Sequence, residues 1–80
     1  MKDEKLFLET TFTIDNVNSI KDILVDNGWV FIIKNNCVQI YESEDDLEYE
    51  ELMTSAYSNR LDTSLLDAFN KIKEYYERVS

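Results

Sequence analysis

Trp29-Val30-Phe31-Ile32-Ile33-Lys34-Asn35-Asn36-Cys37-Val38-Gln39-Ile40-Tyr41-Glu42 is the stretch that decides the fold. Two runs rich in β-branched and aromatic residues, Trp29 to Lys34 and Cys37 to Glu42, flank an Asn-Asn pair. Asn tolerates positive φ, so Asn35-Asn36 predicts a two-residue type I′ hairpin turn. That turn pairs Ile33 with Val38 and Phe31 with Ile40. Side chains alternate along a strand, so Phe31, Ile33, Val38 and Ile40 share one face, the expected core face. Val30, Ile32, Cys37, Gln39 and Tyr41 share the other. That second face is apolar for open solvent, which makes it a candidate contact surface.

Upstream of the hairpin, Leu6 to Ile14 alternate, with Leu6, Leu8, Thr10, Phe12 and Ile14 on one side. Period two predicts a half-buried strand there. Asp15 or Asn16 then caps a helix over Val17 to Asn27, with Val17, Ile20, Ile23 and Leu24 as its apolar stripe. Gly28, the only glycine, stands where a left-handed residue closes a helix. Downstream, Ser43 and Asp46 approximate a capping box. Tyr49, Leu52, Met53, Ala56 and Tyr57 follow at helical spacing and predict one amphipathic helix. The pattern breaks at Ser58-Asn59-Arg60. Asp62 or Thr63 caps a last helix with the stripe Leu65, Phe69, Ile72, Tyr76 and Val79. Lys71, Lys73 and Arg78 lie towards its C-terminal end, as the helix dipole favours.

The predicted order is β-α-β-β-α-α. This is a single α+β domain spanning 1–80, with a three-stranded, antiparallel-type sheet and helices packed on one face. A right-handed crossover sets the first strand beside the third, giving sheet order 1-3-2. Eighty residues suffice for one domain but leave no room for a deep cleft between two lobes.

Composition restricts the function classes. There is no histidine, which removes Cys-His and Ser-His-Asp nucleophile arrangements. One cysteine, Cys37, cannot form an intramolecular disulfide, and without His it cannot build a closed zinc site. No calcium-loop pattern with a central glycine occurs. The expectation is a non-enzymatic chain with no catalytic residue, metal or other cofactor. The charged stretch Met1-Lys2-Asp3-Glu4-Lys5 has no apolar leader, and no run approaches a membrane span, so the expected location is a reducing cytoplasm.

Charge is the main compositional fact. Seventeen acids face eight bases, a formal net charge of −9. Such a chain is repelled by nucleic acid and anionic membranes and attracted to basic surfaces. The acids are also concentrated. Glu42, Glu44, Asp45, Asp46, Glu48, Glu50 and Glu51 place seven carboxylates in ten residues, and no Lys or Arg occurs between Lys34 and Arg60. Like charges at i,i+4 on a helix cost a few tenths of a kcal/mol each, on the order of 0.2–0.5. Capping explains only part of the run. Spaced carboxylates on a rigid frame imitate backbone phosphates, which lie at about one charge per 1.7 Å of duplex axis. Tyr41, at the end of the hairpin, is the candidate aromatic anchor beside them. Tyr49 and Tyr57 fall on the predicted core stripe.

The hairpin Phe31-Ile32-Ile33-Lys34-Asn35-Asn36, the segment Val38-Gln39-Ile40-Tyr41-Glu42-Ser43-Glu44 and the acidic helix that follows resemble the small phage-encoded anti-CRISPR proteins that inhibit Cas9. That resemblance implies a partner-binding role for the acids Glu42 to Glu51, which would enter the basic site where a CRISPR effector reads duplex DNA. It also implies a phage or mobile-element source and action in the host cytoplasm. The expected partner is a basic nucleic-acid-binding protein, with the chain a monomer or homodimer. A second expectation, from a different class, is an immunity or adaptor protein. It would bind one protein partner through an apolar and aromatic sheet face containing Trp29, Ile32 and Tyr41.

Overall fold

The computed structural model describes residues 3–79; Met1 and Lys2 of the charged N-terminal stretch, and Ser80, lie outside the described residues. The hairpin forms with the turn and register that the sequence predicts, although Ile33, expected in the core, is exposed. Strands β1 (Val30–Lys34) and β2 (Cys37–Tyr41) are antiparallel, with Phe31 opposite Ile40 and Ile33 opposite Val38. Asn35 and Asn36 both have positive φ, 50° and 66°, as a type I′ turn requires. The Asn36 amide also donates to the Asn59 carbonyl (3.1 Å), and the Ser64 hydroxyl lies against the Asn36 carbonyl. The turn is thereby tied to the start of the last helix.

Helix α2 (Val17–Asp26) buries Val17, Ile20 and Leu24. Its end is a Schellman motif. Gly28, at φ 98°, donates to the Val25 carbonyl (3.0 Å), and Trp29 donates to that of Leu24 (2.9 Å). Leu24 and Trp29 are both buried, so the same turn that stops the helix aims the chain into β1. Asn16 precedes the helix, but its side chain does not cap it. It turns back to accept from Thr13 N and donate to the Thr11 carbonyl (both 2.9 Å).

The expected first strand is replaced. Residues Glu4–Glu9 form a short helix, α1, and Thr10–Ile14 run on without joining the sheet. Leu6-Phe7-Leu8 fits either period over so short a span, and tertiary contacts decide. The Asp3 carboxylate accepts from the indole Nε1 of Trp29 (2.7 Å) and the Asn27 amide (3.2 Å), pinning the start of α1 to the α2–β1 turn. Phe7 then enters the core, its ring 5.5–6.0 Å from those of Phe12, Trp29, Phe69 and Tyr76. Beyond it, Phe12 is buried while Thr11 and Thr13 face out, but Ile14, assigned to the same side as Phe12, is exposed, so the alternation ends there. The Thr10 carbonyl is taken by Lys73 Nζ (2.7 Å) rather than by a strand.

The second correction lies after the hairpin. The chain forms a short helix, α3 (Glu44–Glu48), and then strand β3 (Thr54–Tyr57) in place of one long amphipathic helix. β3 pairs antiparallel with β2, Val38 opposite Ala56 and Ile40 opposite Thr54. The sheet order is therefore β1-β2-β3, and the expected 1-3-2 order is overturned. Cys37–Tyr41 keeps the central place assigned to it; the strand on its far side comes from downstream instead of upstream. Helix α4 (Leu61–Val79) covers the inner face, burying Leu65, Ala68, Phe69, Ile72 and Tyr76 against Val38, Ile40 and Ala56. Val79, the last residue of its predicted stripe, is exposed. The class is α+β, as expected, with an antiparallel three-stranded sheet and four helices among the described residues. None of these helices is long and apolar enough to cross a membrane.

Two outcomes follow from this core. Phe7→Ala removes a ring that four other rings touch, so a loss of about 3–5 kcal/mol is expected in denaturant unfolding, much of a small domain's stability. Tyr76 has no exposed surface. Burial first, then the carboxylates of Glu42 and Glu4, hold its phenol well above the ordinary value of 10.0. The folded state thus keeps a proton that the unfolded chain releases above pH 10. Its stability contribution is intact below that pH and falls above it, by at most about 1.4 kcal/mol per pH unit. Melting temperatures followed from pH 8 to 11.5 should decline more steeply for the native chain than for Tyr76→Phe. Parallel curves would contradict this assignment.

Candidate functional site

The acidic run occupies the end of the sheet opposite the Asn35-Asn36 turn, because it leaves the last residue of β2. Ser43 Oγ accepts from Asp46 N (3.1 Å) and caps α3, as the sequence predicts. Glu44, Asp45 and Asp46 fill the first turn, where the positive end of the helix favours them. The helix then stops. Glu50 takes a left-handed conformation, φ 57°, and donates to the Leu47 carbonyl (3.1 Å), while Glu51 donates to that of Asp46 (2.8 Å). This is the same Schellman geometry that Gly28 closes in α2, built here on a glutamate.

The break redistributes charge. Glu44 and Glu48 remain one turn apart on α3, but Glu51 leaves the face on which a continuous helix would have stacked it. Glu44, Asp45, Glu48, Glu50 and Glu51 are exposed, and Glu42 and Asp46 are half-buried. Four bases are engaged elsewhere: Lys21 with Asp22 (3.8 Å), Arg60 with Asp62 (2.5 Å), Lys71 with Asp67 (3.4 Å) and Lys73 with the Thr10 carbonyl. Among the described residues, no ion pair involves Glu44, Asp45, Asp46, Glu48, Glu50 or Glu51. Carboxylates so presented project a negative field.

The aromatic assignments reverse. Tyr41, the predicted surface anchor, is only 9% exposed at the end of the central strand, beside α3. Trp29, assigned to a contact face, is 2% exposed and spends its indole N–H on Asp3. Tyr49 and Tyr57, assigned to a core stripe, are 73% and 67% exposed. Tyr49 is the C-cap of α3, amid the acids. Tyr57 is the end of β3, on the face of the sheet away from the helices. One signal in the sequence marks this: Thr54-Ser55-Ala56-Tyr57 fits period two with Ala56 inward and Tyr57 outward.

The outer sheet face holds a shallow concavity of about 380 Å³. Ile32, Lys34, Asn35, Cys37, Gln39 and Tyr57 line it. It contains neither an acid nor a histidine, and Cys37 is half-buried with no base beside it in this lining. Among the described residues, no three carboxylates or thiols converge to hold a metal ion.

No family model, no curated protein and no solved structure matches this chain.

A non-glycine residue in the left-handed region costs roughly 1–2 kcal/mol. Glu50→Gly should leave stability unchanged or raise it by up to about 1 kcal/mol, after the extra entropy glycine brings to the unfolded chain. Glu48→Gly, inside α3, should lower it by about 1 kcal/mol. Urea midpoints of the two variants compare them directly.

Proposed function

We propose that this chain is a non-enzymatic inhibitor that mimics nucleic acid. Its acidic segment, Glu42 to Glu51, occupies the basic groove of a nucleic-acid-binding protein and excludes the natural substrate. The observation that carries the reading is Glu50. An acid stands at a left-handed position that glycine fills at less conformational cost, within a run already burdened by self-repulsion. Stability does not account for carboxylates kept there, whereas recognition of a cationic surface does. Short helix, cap and left-handed turn hold the acids on a fixed frame, which lowers the entropy lost on binding. Tyr49, exposed among them, takes over the anchor role first given to Tyr41. The partner class to which the anti-CRISPR resemblance leads is a CRISPR effector. The setting is then the cytoplasm of a host cell, with a phage or mobile element as the source. Direct binding to nucleic acid or to an anionic membrane is disfavoured by the same charge.

A second reading uses the outer sheet face, as an immunity or adaptor protein would. Trp29 and Tyr41 are too buried to contribute, but Ile32 and Tyr57 flank the concavity and are exposed. Salt separates the two readings, since ion pairing weakens with ionic strength and apolar docking does not.

The test combines Asp45→Lys, Glu48→Lys and Glu51→Lys, three exposed positions. On an immobilised native chain, a guide-loaded CRISPR effector should be retained at low salt and released by high salt or by competing duplex DNA. The triple variant should lose at least ten-fold in affinity while its circular dichroism stays native and its stability falls by no more than about 1 kcal/mol, the worth of a favourable first-turn charge. Undiminished binding by the folded triple variant would refute the mimicry reading. Loss on Tyr57→Ala with no salt dependence would establish the sheet-face reading instead.

A further inference from the structure

The two edges of the sheet are treated differently. In a two-residue hairpin the closing pair, here Lys34 and Cys37, exchanges hydrogen bonds, and the pairs alternate from there. Lys34, Ile32 and Val30 therefore point their backbone groups at β2, while Phe31 and Ile33 point theirs away from it. The other side agrees: Met53 N donates to the Ile40 carbonyl (2.9 Å), so Ile40 faces β3, and Ser55 faces outward. On that outer edge Lys71 Nζ takes the Ser55 carbonyl (3.0 Å). A lysine laid along an edge strand is a common guard against further pairing. On the β1 edge the only lysine, Lys34, ends the strand and points its backbone at β2, which leaves the outward groups of Phe31 and Ile33 unguarded. No residue among those described bonds the outward groups of Phe31 and Ile33. The strand is regular, there is no proline in the chain, and Ile32 and Ile33 are each 39% exposed.

We propose that β1 pairs antiparallel with β1 of a second copy of this chain, about a two-fold axis at Ile32. The register is self-complementary. Phe31 of each copy faces Ile33 of the other, and both present outward N–H and C=O groups, so these pairs exchange hydrogen bonds. Ile32 faces Ile32 in a non-hydrogen-bonded pair, where Cα atoms approach to about 4.5 Å. Phe31 and Ile33 meet on the helix-bearing face, and the two Ile32 side chains meet on the outer face. Charge selects the antiparallel sense. Lys34 is the only base between Lys21 and Arg60. The register sets it opposite Val30 of the second copy, the strand end next to Tyr41, Glu42 and the acidic segment. A second copy thus satisfies hydrogen-bond parity, apolar pairing and local charge together. The net charge of −9 on each copy opposes association at long range, so salt should promote it. That is the reverse of the salt dependence expected for a basic partner.

The test places Ile32→Cys in a chain carrying Cys37→Ser and oxidises it mildly. Directly opposed cysteines in a non-hydrogen-bonded pair lie within disulfide reach. The expected product is a disulfide-linked dimer of doubled mass on non-reducing gels. Val30→Cys in the same background should stay monomeric, because the register holds the two Val30 sites far apart. Equal cross-linking of both variants, or none at Ile32→Cys, would overturn the register. The native chain supplies an independent measurement. Sedimentation equilibrium should show the dimer fraction rising with protein and with salt, and a monomer at every concentration and ionic strength would overturn the proposal.

Discussion

Val38 and Ile40, both without exposed surface, can be buried only if the central strand is covered on one face and flanked on both edges. A two-stranded hairpin cannot do this, since it is marginal in water without a third strand or a packed helix. β1 and β3 supply the flanks and α4 the cover. The remaining elements follow from that arrangement. α4 lies across β2 and β3, and its Phe69 also meets the Phe31 ring of β1 (6.0 Å), while Phe7, Phe12 and Trp29 complete the aromatic cluster. Phe7 and Phe12 meet Phe69 of α4, Phe7 also meets Tyr76, and Trp29 joins through Phe7; full burial of each such side chain is worth about 1.5–3 kcal/mol. The polar pins at the periphery, Asp3 to Trp29 and Ser64 against the Asn36 carbonyl, satisfy groups that this packing takes out of water.

The acidic segment gains its character from the same constraint. A strand is needed beside β2, so the chain must leave α3, turn and come back antiparallel within a few residues. The turn at Glu50 accomplishes that. It also prevents a continuous helix that would have stacked Glu44, Glu48 and Glu51 in one row. What remains is a cluster spread over a cap, a helix turn and a left-handed residue, with most of its carboxylates in solvent. The fold tolerates the charge because most of these side chains stay in solvent; half-buried Glu42, whose carboxylate acts on the Tyr76 phenol, is the exception.

The sheet also carries an asymmetry that charge composition alone does not reveal. One edge is closed by a lysine from α4, and the other presents two residues' worth of hydrogen-bonding groups beside exposed isoleucines. The acidic end and the open edge are separate features of one sheet, and their responses to ionic strength are opposite in sign.

The sequence by itself determined the hairpin, its Asn-Asn turn and register, helices α2 and α4, the Gly28 stop and the Ser43 cap. Each of these is set by local chemistry: positive φ at Asn and Gly, a side-chain oxygen at a cap, or a stripe long enough to establish its period. It also placed the acids from Glu42 to Glu51 next to one another, because their spacing in the chain is short. Tertiary structure alone decided the identity of the third strand. Residues 6–14 alternate as a strand does, and residues 49–57 repeat as a helix does, but both patterns are brief. The pull of Phe7 into an aromatic cluster and the unfilled edge of β2 outweighed them. The tyrosines show the consequence most plainly. Whether Tyr41, Tyr49 and Tyr57 face solvent depends on which segment lies beside them, a long-range fact that no local period records.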